Sequence, residues 1–177
     1  PAPTRTAAGR AMTTNLAVVW AALEDLADPE IPVVSLRDLG ILRDMRHGPD
    51  GVEVIITPTY SGCPAMSQIE DDVRSTLEKC GIPARVVTQL APAWTTDWMT
   101  ESGKEKLRAY GIAPPHATPA GSSVVRFIAK QAPLAAVPCP HCGSANTVET
   151  SHFGSTACKA LYKCRDCQEP FDYFKPY

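Results

Sequence analysis

The chain has 177 residues, 44% of them hydrophobic and 20% charged, which suits one domain or a small domain with a satellite and excludes disorder throughout. A formal charge of −2 leaves no basic footprint for nucleic acid. No apolar run approaches the roughly 18 residues that span a bilayer. Arg5 and Arg10 are not followed by the apolar core of a signal peptide, so the expectation is a cytoplasmic protein with no nucleic-acid and no membrane partner.

Residues 1–14 read as a disordered leader. Asn15 is a fair N-cap for a helix that places Leu16, Val19, Trp20, Leu23 and Leu26 on one face, and Pro29 and Pro32 stop it. A strand at about 40–46, the turn Gly48-Pro49-Asp50-Gly51 and the run 52–57 form a β-hairpin. After Ser61-Gly62-Cys63-Pro64, the spacing of Met66, Ile69, Val73 and Leu77 marks a second amphipathic helix ending near Gly81. Residues 85–90 give a third strand, and 95–110 one or two short helices. The order is α-β-β-α-β, for which a small mixed three-stranded sheet covered by helices, an α+β fold, is the economical packing. This first domain, 15–112, carries nine Lys/Arg against fifteen Asp/Glu, a net of −6.

Residues 113–137 are rich in proline, lack both apolar periods over 113–123 and read as a linker. Within them, 124–130 forms a short strand or helix; periodicity cannot choose between the two. Five of the seven cysteines follow, in the last 39 residues: Cys139-Pro140-His141-Cys142, Cys158 and Cys164-Arg165-Asp166-Cys167. Two Cys-x-x-Cys turns can present four thiolates to one tetrahedral Zn²⁺ with bonds of about 2.3 Å. A segment this poor in large apolar residues needs that metal to fold, so 138–177 is expected to be a structural zinc β-ribbon on Cys139, Cys142, Cys164 and Cys167. Chelation should melt that part alone. Cys158 is either a buried small hydrophobe on the ribbon or an extra thiolate for a transient metal. His141 and His152 are superfluous once four thiolates close the site.

In the first domain, Cys63 precedes a helix whose N-terminal dipole should stabilise a thiolate, which predicts a depressed pKa. Cys80, at the other end of that helix, reads as a core or cap-adjacent residue and should alkylate more slowly. Trp94 and Trp98, four apart, either pack in the core or form an exposed aromatic patch for a partner. Asp28 before Pro29 reads equally as a helix stop or a site residue, and Thr57 and Thr59 have ordinary strand propensity.

The run from Asp28 to Ile41, Asp-Pro-Glu-Ile-Pro-Val-Val-Ser-Leu-Arg-Asp-Leu-Gly-Ile, with Thr57-Pro58-Thr59-Tyr60-Ser61-Gly62-Cys63-Pro64, resembles the iron–sulfur assembly factors that include bacterial SufT and the eukaryotic cytosolic targeting proteins. Residues 90–100, Tyr110-Gly111-Ile112, Pro114-Pro115, the run 153–162 and Glu169-Pro170-Phe171-Asp172-Tyr173-Phe174-Lys175 are similar to the accessory-protein family of bacterial phenylacetyl-CoA epoxidase, from about residue 16 to the end. The resemblance implies a maturation factor, not an enzyme, for the di-iron epoxidase or its iron–sulfur reductase subunit in aerobic phenylacetate breakdown. The alternative is a non-catalytic structural subunit of that complex. It further implies that Cys63 is the reactive thiol for transient iron or an iron–sulfur cluster, that Asp28 and Glu30 line its edge, and that Thr57 and Thr59 lie on the strand leading to it. The oxygenase and reductase subunits are the implied partners, and family habit suggests a homodimer through the first domain. No histidine stands in a recognisable catalytic pairing with Cys63.

Overall fold

The computed structural model describes residues 14–49, 51–116 and 136–176. The leader up to Thr13, the 124–130 segment and Asp50 of the hairpin turn lie outside the described residues. Helix α1 (Leu16–Leu23) starts where Asn15 accepts the N–H of Ala17 at 2.9 Å. It ends one turn earlier than the apolar spacing predicts. Leu26 instead receives the N–H of Leu36 on its carbonyl, as residues 24–41 close into a compact loop with a bridge between Ala27 and Ser35. That loop buries Ile31, Val34, Leu36, Leu39 and Ile41, which fixes Asp28 and Glu30 on a packed base.

Strands β1 (Leu42–Gly48) and β2 (Gly51–Ile56) pair antiparallel, and β3 (Ala84–Thr88) joins β2 in parallel after the crossover through α2 (Met66–Lys79), so the sheet is mixed with order β1-β2-β3. Along α2 the fully buried Ile69, Val73 and Leu77 recur every four residues, each worth about 1.5–3 kcal/mol of burial. Gly81 then turns the chain with φ +69°. A single 3₁₀ turn (Thr96–Trp98) and α3 (Glu101–Ala109) complete the first domain.

Asp38 ties the loop to α3. Its carboxylate accepts from Thr100 Oγ1 at 2.7 Å and Lys106 Nζ at 2.6 Å, and more weakly from the Ser35 N–H. Burial works against its charge, yet those donors hold its carboxyl below the usual value. A depressed carboxyl stabilises the fold above its unfolded pKa and loses that contribution as pH falls through the folded value. Asp38→Asn is therefore expected to cost about 1–2 kcal/mol at pH 7, with the gap from wild type closing towards pH 3, as read by urea unfolding at both pH values.

The second sheet departs from the sequence expectation. Its order is β4-β7-β6-β5, with β5 (Thr147–Ser151), β6 (Lys159–Cys164) and β7 (Pro170–Phe174) antiparallel and β4 (Ile112–Ala113) added in parallel to β7. Ala113, expected to open a linker, is 1% exposed and packs with Val137, Tyr162 and Tyr173. Two paired residues are too short for any periodicity to reveal. The ribbon therefore docks on the first domain. Phe174 and Cys158 belong to the first domain's apolar core, with the Phe174 ring 6.0 Å from that of Trp94.

Candidate functional site

The four ribbon cysteines converge. Their sulfurs all lie within 4.8 Å of one another, with Cys139···Cys167 at 3.7 Å and Cys142···Cys164 at 3.6 Å. Sulfurs bound at 2.3 Å around a tetrahedral centre are about 3.8 Å apart, which the two closest pairs match, so the donor set suits one Zn²⁺. The first turn closes through Gly143 N–H to Cys139 carbonyl and Cys139 N–H to Ser144 carbonyl, both 2.9 Å, with Gly143 at φ +76°. In the second, the Cys167 N–H points at the Cys164 sulfur and brings that thiol down to about 7. Asp166 joins the two turns by accepting from Ser144 Oγ and, at 2.7 Å, from Asn146 Nδ2. Four sulfurs close the coordination sphere, which leaves no position for hydrolytic chemistry. Neither histidine takes part: His152 meets Glu149 at 3.2 Å, and His141 lies against Gly111.

Cys63 occupies the turn into α2, its N–H bonded to the Tyr60 carbonyl at 3.2 Å and its carbonyl accepting from Met66. The amides of Ala65 and Met66 do favour its thiolate, as the helix N-terminus predicts. They lose. Burial is the largest influence, and with the nearby charges of Glu30 and Asp28 it pushes the thiol above its ordinary value, which reverses the expected depression. Both carboxyls are raised in turn, chiefly by burial, while the Lys159 ammonium opposes the rise. Asp28 Oδ1 accepts the N–H groups of Glu30 at 2.9 Å and Ile31 at 2.8 Å, so this carboxylate shapes the loop as well as acting electrostatically on the thiol.

Lys159 comes from the ribbon. It is buried, and its Nζ lies 3.4 Å from Asp172. Its neighbour Cys158 is also buried, accepts the Lys175 N–H on its carbonyl, and has its sulfur 3.0 Å from Thr156 Oγ1. Glu30 and Asp28 act on the Cys158 sulfur too, and with burial as the main cause they push that thiol up. The sequence offers no local signal for this arrangement, because the groups facing one another are about 130 residues apart.

The remaining candidates sort by position. Thr57 and Thr59 are buried and line, with Tyr60, Leu90 and Trp94, a cleft of about 380 Å³ on the approach to the Cys63 turn. Trp94 is core, donating Nε1–H to the Leu39 carbonyl at 2.9 Å. Trp98 lies in the 3₁₀ turn with the Arg43 guanidinium 3.4 Å above its ring, so the two tryptophans share no helical face and form no joint aromatic patch. Cys80 caps α2 and is exposed, contrary to a core position. With Cys63 half-buried and its thiol pushed up, Cys80 should react first with a small alkylating agent near pH 7 in protein lacking cargo, the reverse of the sequence expectation. Competitive labelling read by mass spectrometry checks this; preferential labelling of Cys63 would contradict the burial effect.

The ribbon thus carries a four-sulfur centre that fits zinc, and the first domain carries a half-buried thiol under the electrostatic influence of two carboxylates. The family profile described as "Iron-sulfur cluster assembly protein" matches residues 16–89, and that of the "PaaD zinc beta ribbon domain" matches 126–175. A protein of Escherichia coli (strain K12) that is named as one of the subunits of 1,2-phenylacetyl-CoA epoxidase is 48% identical over 158 residues, 89% of this chain and 90% of that one. The chain belongs to the PaaD family. A "Fe-S protein maturation auxiliary factor" of Porphyromonas gingivalis (strain ATCC BAA-308 / W83) is 36% identical over 88 residues, 48% of this chain and 83% of that protein. Among solved structures, a DUF59 domain of unknown function from Bacillus anthracis aligns with a TM-score of 0.47 at 27% identity, over 51% of this chain and 89% of that one. Among the described residues no helix is long and apolar enough to cross a membrane.

Proposed function

We propose that this chain matures a metallocofactor of the phenylacetyl-CoA epoxidase complex in aerobic phenylacetate breakdown. It acts in the cytoplasm and carries iron, as ion or iron–sulfur cluster, on Cys63 to an oxygenase or reductase subunit. The observation that carries the reading is a half-buried thiol, under the electrostatic influence of Glu30 and Asp28, in a domain matched by the iron–sulfur assembly family. None of the described histidines is among the groups acting on that thiol, so the arrangement suits holding a metal better than nucleophilic catalysis. The ribbon centre on Cys139, Cys142, Cys164 and Cys167 holds structural zinc. Thr57 and Thr59 shape the wall beside the carrier thiol, and the first domain is the surface for a homodimer.

The name of the Escherichia coli relative favours a second reading, in which the chain stays in the working complex as a non-catalytic subunit. The two differ in what happens after assembly. Matured epoxidase separated from this chain should keep turning over phenylacetyl-CoA with its reductase. If activity is lost on separation and regained on adding back metal-free chain, the chain is a working subunit and the maturation reading fails. Copurification under anaerobic conditions, with metal analysis of the chain alone, identifies the client subunit and the cargo.

A further inference from the structure

We propose that the pocket between α1, β1 and the 3₁₀ turn binds a small aromatic carboxylate, whose charge is taken by Arg43 and whose ring lies against Trp20 and Trp98. No residue of the Cys63 turn lines this pocket, so it stands apart from the carrier thiol and does not depend on the maturation reading.

A β-bulge puts Arg43 there. Leu42 pairs with Ile56 and Asp44 with Ile55, so Arg43 is the extra residue of β1, and Leu42 and Met45, three positions apart, are both buried. Such an insertion re-aims one side chain. Arg43 is partly buried, with its guanidinium 3.4 Å above the Trp98 ring. Stacking covers the flat face of a guanidinium and leaves the N–H fork at its edge free. Trp98 is itself seated against Gly40, where a Cβ would come within 2.5 Å of the Trp98 carbonyl oxygen. Trp20, Arg37, Leu42 and Thr100 complete a pocket of about 370 Å³, a size that suits a small molecule.

Charge selects the ligand. The neighbouring cations are paired, Arg37 with Glu24 at 2.6 Å and Lys106 with Asp38, which also takes the Thr100 hydroxyl. Among the described residues no carboxylate pairs with Arg43, and burial is what lowers its pKa. The stretches 1–13 and 117–135 contain no Asp or Glu, and the one acid outside the described residues, Asp50, follows the far end of β1. The pocket therefore presents one uncompensated positive charge, which a carboxylate neutralises and a phosphate dianion would overshoot. A carboxylate also matches the fork with two parallel hydrogen bonds. The indole rings and Leu42 make much of the remaining wall apolar, so the anion should arrive on a flat apolar group. An arylalkyl acid combines the two.

Phenylacetate, a simple acid of this class, added to full-length, zinc-loaded protein is the probe, read through the arginine Nε–H and indole N–H nuclear magnetic resonances. The expected result is saturable binding that moves the Arg43 and Trp98 signals together. Acetate, which lacks the ring, and phenylacetamide, which lacks the charge, should each bind at least about tenfold more weakly, and phenyl phosphate no more tightly than phenylacetate. Arg43→Gln should weaken phenylacetate at least about tenfold, and Arg43→Lys, which keeps the charge and loses the fork, by less. Wild-type affinity in Arg43→Gln would overturn the assignment, as would equal binding of acetate or tighter binding of phenyl phosphate. The wild-type titration needs no variant to fold: Arg43 and Trp98 signals unmoved by about 10 mM phenylacetate would defeat the proposal, and a response confined to an acetylated Phe-Glu peptide would give the pocket to a protein partner instead.

Discussion

Cys63→Ala is expected to abolish activation of the epoxidase in cells while leaving the protein folded. Cys63 is half-buried in a turn held by backbone bonds, from its own N–H to Tyr60 and from Met66 N–H to its carbonyl, and alanine keeps both. Losing one partly exposed sulfur costs about 1 kcal/mol or less, too little to unfold a domain with a core running from Val19 to Leu107. Function should fall to background, because the amides of Ala65 and Met66 and the Asp28–Glu30 pair would then surround a methyl group. The measurements are epoxidase turnover in cells supplied with the variant and the melting temperature of the purified variant. Asp28→Asn should be milder than Asp28→Ala, since asparagine keeps an acceptor for the Glu30 and Ile31 N–H groups and removes only the charge. Full activation with Cys63→Ala would return the chain to a purely structural role. The raised thiol adds a sign: a proton must leave before metal binds, so loading should strengthen as pH rises towards that pKa, by up to about tenfold per pH unit for each proton released.

Loss of the ribbon metal should have the largest effect on stability. Structural zinc contributes on the order of 10–16 kcal/mol in small ribbons and fingers, more than a sheet of four short strands supplies by its own burial. Chelation, or Cys142→Ser, should therefore unfold 138–176, as read by circular dichroism and hydrogen exchange. Docking changes the expectation that this part melts alone. Phe174 and Cys158 are part of the first domain's core, so their departure uncovers Trp94 and the loop bearing Asp28. Tryptophan emission should shift to the red, and exchange over 28–41 should speed up with the ribbon's. A ribbon that stays folded in Cys142→Ser would remove the four-thiolate assignment.

Short-range signals were legible. Asn15 as a cap, the four-residue spacing of α2, the β1–β2 hairpin and the two Cys-x-x-Cys turns each lie within a few residues of the feature they specify. The sign of the Cys63 shift was not, although its helix was. The amides that lower the pKa are two and three residues away, whereas the burial that chiefly raises it is set by tertiary packing, and the carboxylates that add to it sit on a loop more than thirty residues upstream. The ribbon's reach escaped for the same reason. Lys159 and Phe174 look like ordinary strand residues, and Cys158 like a residue of the ribbon alone, until β6 and β7 are laid against Trp94 and the Asp28 loop.

The pairing of β4 with β7 alters what the proline-rich stretch is for. Ala113 and Val137 pack in the same cluster, and Thr147 Oγ1 donates to the Val137 carbonyl at 2.7 Å, so both ends of the intervening chain are fastened to one sheet. The separation of its two ends is therefore set by the sheet, and the number of residues between them bears on stability only through the slowly growing entropy of loop closure. A protease that cut within it would leave the two fragments held by strand pairing, apolar packing and the docked Phe174, so the nicked protein should still travel as one particle.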